Sequence, residues 1–342
     1  MNEAHPEPKV TIITTAYNQA DIIENSLRGA LAQDYSNLEV ILADDASSDH
    51  IAEVAAKYQS DLRFRYLRNS TNLGIFANYR NALFHHATGD WLLIVDGDDY
   101  LIDPHYIRNA IKQVQHYRAV VLIFAGCRML GEDGRFRDYV PTRREWQCEN
   151  GFDYFLRWGV NLGVPHQAAL YRRDLALQLD FYRYPIISGD WEGLRRLVLH
   201  GNVLMHGRPV VVWYRHSTSN SHKVNVAERV ADLQNILQPY VYGISLGLDK
   251  SKLDQWKERT LALYAENHLR MCLHAGRLND ARDFLQHIRE TEPQAYHACL
   301  VKVATNPRLL FFLGLYLLGR KRFVVGASNL WRQLTWRQNS LE

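Results

Sequence analysis

From residue 9 onward, apolar positions switch repeatedly between two spacings. Val10-Thr11-Ile12-Ile13-Thr14 is a β-branched run and Leu38-Glu39-Val40-Ile41-Leu42 is nearly continuous in apolar side chains, the text of strands covered on both faces. Helical spacing separates them, and Asp21-Ile22-Ile23-Glu24 reads as a capping box that opens the first helix. The alternation predicts a helix over 51–59, a strand at 64–67, a helix at 75–86 and a strand at 91–95. Asp103-Pro104 then predicts a helix to residue 117, with the acid as N-cap and the proline in the first turn, and a strand at 120–125 follows. Such strand–helix repetition implies α/β architecture: a Rossmann-like, mostly parallel sheet flanked by helices.

Regularity fades over 127–222, where glycines, aromatics and arginines mix, with a helix predicted at 191–200 and an extended run at 203–214. From 226 to 290 the spacing is helical, and the stretch from Ala265 through Gly276 to Pro293 resembles one tetratricopeptide-like hairpin. One such unit cannot form an array, so this part reads as a helical C-terminal extension. Residues 309–319 are apolar and run straight into Arg320-Lys321-Arg322. Eleven helical residues reach only about 16 Å, roughly half a bilayer core, so a span is not expected. The stretch reads as an interfacial anchor in preference to a core helix with a solvated basic end.

Composition narrows the class. With 342 residues and 47% hydrophobic content, the chain is globular and long enough for one large core or two to three smaller ones. Residues 1–8 are polar, acidic and broken by prolines, unlike a secretory signal, so a cytoplasmic protein is expected, with a peripheral seat on the inner face of the plasma membrane if the tail binds there. Cys127, Cys148, Cys272 and Cys299 show no Cys-x-x-Cys spacing and read as reduced core residues rather than a zinc site. The net charge of +3 hides a basic tail: 301–342 carries seven Lys and Arg against Glu342 alone. Its aromatics lie beside aliphatic runs without a reader motif, which favours a membrane surface and excludes nucleic acid as the partner.

The strand at 91–95 releases Asp96-Gly97-Asp98-Asp99, three carboxylates at the carboxyl edge of a sheet. Hard oxygen ligands in that position suit a divalent cation, Mn²⁺ or Mg²⁺, meeting a diphosphate, whereas a solvated turn or a calcium loop is the plainer reading. The second strand ends in Asp44-Asp45-Ala46-Ser47-Ser48-Asp49 at the same edge. Asp45 there can accept hydrogen bonds from a base or ribose, or it can cap the next helix as Asp49 is expected to. Neither Gly-x-Gly-x-x-Gly nor Gly-Lys-Ser/Thr occurs, so dinucleotide-binding and P-loop enzymes are excluded.

Together with Asn72-Leu73-Gly74, Arg80-Asn81-Ala82, Gly89-Asp90 and Ser188-Gly189-Asp190-Trp191-Glu192, these segments resemble glycosyltransferase family 2, an inverting family with the GT-A fold, over about residues 9–222. The resemblance implies a nucleotide-sugar donor and a glycan or lipid-linked acceptor. It assigns Thr15, Ala16, Tyr17, Asp45 and Asn72 to the nucleoside, Arg80 to the diphosphate, Asp96 to ribose and metal, and Asp98 and Asp99 to the metal, with His216 as a further metal or phosphate contact. Asp190 matches the general base, with Asp153 and Asp174 as fallback candidates, and His166 and Trp191 are assigned to the acceptor pocket. The family often has Glu-Asp at the base position; here it is Gly189-Asp190, so the supporting acid is missing or supplied from elsewhere.

The implied organisation is a nucleotide-sugar half at 1–125, an acceptor half at 126–222, a helical extension at 223–305 and the basic, apolar tail at 306–342. The expected activity is an inverting transfer from a UDP-hexose or UDP-N-acetylhexosamine in bacterial surface polysaccharide synthesis. Two alternatives stand beside it. A sugar nucleotidyltransferase would carry a Gly-rich basic loop where Tyr17-Asn18-Gln19-Ala20 lies, and a non-catalytic adaptor at the membrane would need no metal-dependent nucleotide binding.

Overall fold

The computed structural model describes residues 7–159, 163–215, 225–307 and 310, and the chain divides into two compact units, Met1–Ser217 and Thr218–Glu342. The first unit opens with β1 (Val10–Ala16), α1 (Ile23–Leu31), β2 (Leu38–Asp44), α2 (Ile51–Ala56), β3 (Phe64–Arg68), α3 (Ile75–Asn81) and β4 (Trp91–Asp96). It continues through β5 (Tyr100–Leu101), α4 (Tyr106–Val114), β6 (Val120–Gly131), β7 (Phe136–Tyr139), β8 (Trp146–Asn150) and α5 (Gly151–Arg157). β9 (Ala169–Arg172), α6 (Arg173–Gln178), α7 (Gly189–Leu197) and β10 (Asn202–Arg215) complete it.

Among the described residues the strands form one ten-stranded sheet in the order β3-β2-β1-β4-β9-β6-β10-β5, with β7 on β6 and β8 on β10. All seven residues of β1 and of β2 are buried, which is why their sequences read as unbroken apolar and threonine runs rather than as an alternation. The β3-β2-β1-β4 portion is parallel, as is the β6–β10 pair, while β9 joins β4 to β6 antiparallel. The chain builds outward from β1 to β2 and β3, then returns to lay β4 on the other side of β1. That reversal opens a crevice at the carboxyl ends of β1 and β4, where open α/β sheets take ligands. Register aligns Thr15 with Asp96 and Ala16 with Asp44, so both acid clusters leave the sheet at the same edge.

Several helix starts move. The capping box does not form: α1 begins at Ile23, the Asp21 side chain is 93% exposed, and the amides of Ile22 and Ile23 bond instead to the Gln19 carbonyl in a tight backbone turn. Asp103 accepts from His105 N at 2.9 Å, which delays α4 to Tyr106. The helix expected over 75–86 is α3 followed by a wider π turn at 82–86.

α7 carries a buried charged pair one helical turn apart. Glu192 and Arg196 are 1% and 2% exposed, with Arg196 Nε and Nη2 at 2.7 and 2.6 Å from the two carboxylate oxygens, and Arg183 reaches the same carboxylate at 3.4 Å. Arg196 Nη1 also donates to Leu179 O, so this contact and that of Arg183 tie α7, whose second residue is Asp190, to the segment between α6 and α7.

The second unit is helical: α8 (Val226–Asp232), α9 (Gln234–Ser245), α10 (Lys250–Ala275), α11 (Leu278–Thr291) and α12 (Pro293–Thr305). Leu261, Ala265 and Cys272 of α10, Phe284 and Ile288 of α11, and Ala295 and Cys299 of α12 are fully buried. Gly276, at φ 69°, ends α10 in the left-handed conformation that glycine adopts without strain, and Arg277 N closes the turn on Cys272 O at 2.8 Å. Among the described residues no helix is long and apolar enough to cross a membrane, and residues 311–342, which hold most of the apolar and basic tail, lie outside the described residues.

Removing one partner of a buried ion pair leaves the other charge without compensation. Glu192→Ala is therefore expected to destabilise the first unit by about 3–5 kcal/mol in urea denaturation.

Candidate active site

Asp96 is the last residue of β4, and Asp98 and Asp99 follow one glycine later. The turn that gathers them has three restraints. Asp99 N bonds to Asp96 O at 2.9 Å, β5 pairs at once with β10 through Tyr100↔Val212 and Leu101↔Val211, and Asp99 Oδ1 accepts from Tyr214 N at 2.8 Å. Gly97 is required by close approach: a Cβ there would stand 2.4 Å from Gln19 Oε1 and 2.9 Å from Thr15 O. One ligand oxygen from each of Asp96, Asp98 and Asp99 lies within 4.8 Å of the others.

Like charges so close raise proton affinity. Burial, then the charges of Asp98 and Asp96, push the Asp99 carboxyl well above the usual carboxylate range, opposed by hydrogen bonds from Tyr214 and Gln167. Asp96 moves the same way through burial and Asp98, opposed by His166 and by Tyr79. A divalent cation would relieve this repulsion, and hard carboxylate oxygens are its preferred ligands, so the three acids fit the metal that the sequence resemblance implies.

The other predicted residues divide into those near the acids and those engaged elsewhere. Thr15 Oγ1 lies 3.4 Å from Asp96 Oδ1, and Ala16 is buried beside it at the end of β1. Tyr17 is 51% exposed just beyond, where Asn18, at φ 52°, turns the chain and donates its amide to Ser47 Oγ. Asp190 is half-buried in the first turn of α7, and its charge raises the proton affinity of Asp96, Tyr79 and Tyr182, which puts it in the same electrostatic field.

Asp45 is only 3% exposed and fully engaged. Oδ1 accepts from Asn69 Nδ2 and Leu73 N, and Oδ2 from Gly74 N, each at 2.8 Å, so the carboxylate clamps the loop that carries Asn72. Asn72 is exposed and accepts from Gly74 N. Asp49 accepts from Ala20 N and Ile51 N, but it lies one residue before the N-cap of α2, which is His50, so the cap expected of it does not form.

Arg80 does not stand free at the crevice. Its guanidinium pairs with Asp180 at 2.5 Å, donates to Phe181 O at 3.0 Å and lies over the Phe84 ring, bracing α3 against the turn after α6. Trp191 also faces inward: the indole donates to Val164 O at 3.2 Å, packs edge-on against Trp158 and shares Arg195 with it. Of the fallback acids, Asp174 pairs with Arg172 and Asp153 sits in the first turn of α5. His216 lies outside the described residues.

The short turn 166–168, entered through Pro165, brings in His166, expected in the acceptor pocket, together with Gln167, which the sequence did not signal. Gln167 reaches Asp99, and His166 Nε2 is 2.8 Å from Tyr182 Oη, its ring packed against Tyr79. His166 thus sits with the acids and the aromatic cluster around them. Tyr79, whose hydroxyl donates to Asp96, is the residue that sequence reasoning missed although it lies directly before Arg80; its only local mark is a place on the buried face of α3.

Residues 11–179 match the family model described as Glycosyl transferase family 2. A protein of Mycobacterium tuberculosis is 28% identical over 225 residues, 64% of this chain and 62% of the relative, so the chain spans less than two thirds of its length. The poly(ribitol-phosphate) beta-N-acetylglucosaminyltransferase TarS of Staphylococcus aureus is 30% identical over 129 residues, 37% of this chain and 22% of that one. In fold, the structure resembles TarS 1–349 solved with UDP-GlcNAc, at a TM-score of 0.61 and 16% identity over 85% of this chain and 89% of that one. It also resembles the mannosyltransferase PcManGT of Pyrobaculum calidifontis solved with GDP-Man and Mn²⁺, at a TM-score of 0.53 and 19% identity over 96% and 88%. These likenesses establish a GT-A fold.

A carboxyl raised by its surroundings binds its proton more tightly folded than unfolded, so its share of stability falls as pH rises from the unfolded value of about 3.9 through the raised folded value. Asp99→Asn removes that loss. The metal-free variant is expected to melt above the wild type at pH 8, with the difference shrinking toward pH 4, while MnCl₂ raises the melting temperature of the wild type alone. Thermal melts across pH with and without MnCl₂ check both parts.

Proposed function

We propose, for a chain that belongs to glycosyltransferase family 2, that the protein transfers a sugar from a nucleotide-sugar donor to a hydroxyl of a glycan or lipid-linked acceptor, inverting the anomeric centre. The observation that carries the reading is the gathering of Asp96, Asp98 and Asp99 within 4.8 Å at the carboxyl end of β4, in the electrostatic field of Asp190. A nucleoside diphosphate leaves only when its growing negative charge is met, and these three acids would hold the divalent cation, Mn²⁺ or Mg²⁺, that supplies this Lewis-acid stabilisation.

The chain's own groups supply the remainder. Tyr17, Asp45 and Asn72 border the nucleoside side of the crevice, with Asp45 acting through the loop it clamps as well as through any contact of its own. Asp190 is the general base: its carboxylate accepts the acceptor's hydroxyl proton as that oxygen attacks the anomeric carbon, and the bond to the diphosphate breaks on the opposite face. A positioned base of this kind contributes about 10²–10⁴-fold. Glu192, which could have been the supporting acid, is occupied by Arg196 and Arg183, so Asp190 works without an adjacent carboxylate.

A UDP-hexose or UDP-N-acetylhexosamine donor is favoured by the TarS structure with UDP-GlcNAc, although the GDP-Man complex of the other fold neighbour keeps guanosine donors in the panel. A surface-polymer acceptor is supported by the poly(ribitol-phosphate) named for TarS. Residues 1–125 and 126–222 would be the donor and acceptor halves, 223–305 the helical extension and 306–342 a seat on the inner face of the plasma membrane.

A panel of UDP, GDP and dTDP sugars with MnCl₂ tests the reading through release of nucleoside diphosphate. Asp98→Asn is expected to abolish release. Asp190→Asn should lower kcat by about 10²–10⁴-fold while leaving nucleotide affinity near that of the wild type. Absence of release from every donor, or release unchanged in Asp98→Asn, overturns it.

A further inference from the structure

Asp96 has two carboxylate oxygens, and the protein engages one of them. Oδ1 accepts the Tyr79 hydroxyl and lies 3.4 Å from Thr15 Oγ1, whereas no hydrogen bond to Oδ2 is found among the described residues. The Tyr79 ring is 3% exposed and held on several sides: Tyr182 at 5.0 Å, His166 at 5.9 Å and Phe76 at 6.0 Å between ring centres. Packing on these sides restricts the movement of the ring that carries the donor. α3, which carries it, starts at Gly74, and Gly74 N is bonded to Asp45.

We infer that Tyr79 is a positioning residue for the acid cluster: by holding Asp96 Oδ1 it leaves Oδ2 as the oxygen that a divalent cation shares with Asp98 and Asp99. The inference rests on the reading of these acids given under Proposed function. A neutral donor suits the task. An arginine or lysine in its place would orient Asp96 equally well but would cancel the negative charge that attracts the cation, whereas a phenol fixes the carboxylate and leaves its charge intact. Partners that orient metal ligands in this manner typically change metal affinity by about 10–100-fold when removed.

The test titrates MnCl₂ into the full-length wild type, Tyr79→Phe and Asp98→Asn, each with saturating UDP and again with GDP, following unbound Mn²⁺ by electron paramagnetic resonance. Tyr79→Phe keeps the ring and its packing and is expected to bind Mn²⁺ about 10–100-fold more weakly. Its nucleotide affinity in EDTA and its melting temperature should stay near the wild-type values, whereas a merely structural role would lower all three together. Tyr79→Met, which fills similar space and also lacks the donor, is carried alongside in case Tyr79→Phe folds poorly. Wild-type Mn²⁺ affinity in Tyr79→Phe, with affinity lost in Asp98→Asn, overturns the inference and leaves the functional reading intact. No Mn²⁺ uptake by the wild type with either nucleotide overturns both.

Discussion

Holding three carboxylates together where they repel one another is the constraint on which the first unit turns. Asp96, Asp98 and Asp99 converge because the backbone leaves them little alternative: the chain emerges from a fully buried strand, turns on a glycine that admits no Cβ, and is caught within one residue by the β5–β10 ladder. Burial first, and then the charge of the neighbouring acids, raises the proton affinity of Asp96 and Asp99. Backbone hydrogen bonds and apolar burial elsewhere in the sheet offset that cost, the usual relation between a strained site and the scaffold that keeps it.

What was legible in the sequence follows from this division. β1, β2 and β4 are central strands covered on both faces, so their apolar runs announce them, and acids placed directly after such runs must leave the sheet at its carboxyl edge. The antiparallel β7, β8 and β9, by contrast, are short, and β7 is largely open to solvent while β8 is mostly half-buried, so their side chains follow no strong period. α5 and α6 are six or seven residues long and give helical spacing too little room to register. Within the site, the acids are neighbours in sequence, whereas Tyr79 and Gln167 reach them from other elements and Tyr182 meets His166 beside them, and no local pattern encodes contacts made across the fold.

Arg80, Trp191 and Asp45 carry a related lesson. Each belongs to a segment that resembles a functional motif, yet each is engaged by the framework: Arg80 by Asp180 and Phe181 O, Trp191 by Val164 O and Trp158, Asp45 by two loop amides and Asn69. A motif records which residue types recur at a spacing, and the same types serve as ligands to a substrate or as braces for the loop that meets it. Hydrogen-bond saturation separates the two uses. A carboxylate with three protein donors already in place has little left to offer a ribose unless its loop moves, whereas Asp96 keeps an oxygen in reserve.

The contrast between two buried polar clusters of the first unit follows from what each must do. Glu192 is paired with Arg196 and Arg183, a charge-compensated cluster that fixes α7 and has no capacity for a further ion. Asp96 and Asp99 are met by Tyr79, Tyr214 N and Gln167, neutral donors throughout. Cationic partners would have made the acid turn more stable on its own and would have left a divalent cation with nothing to neutralise. Neutral donors leave the negative charge of these carboxylates in place, which is what the proposed cation site would need.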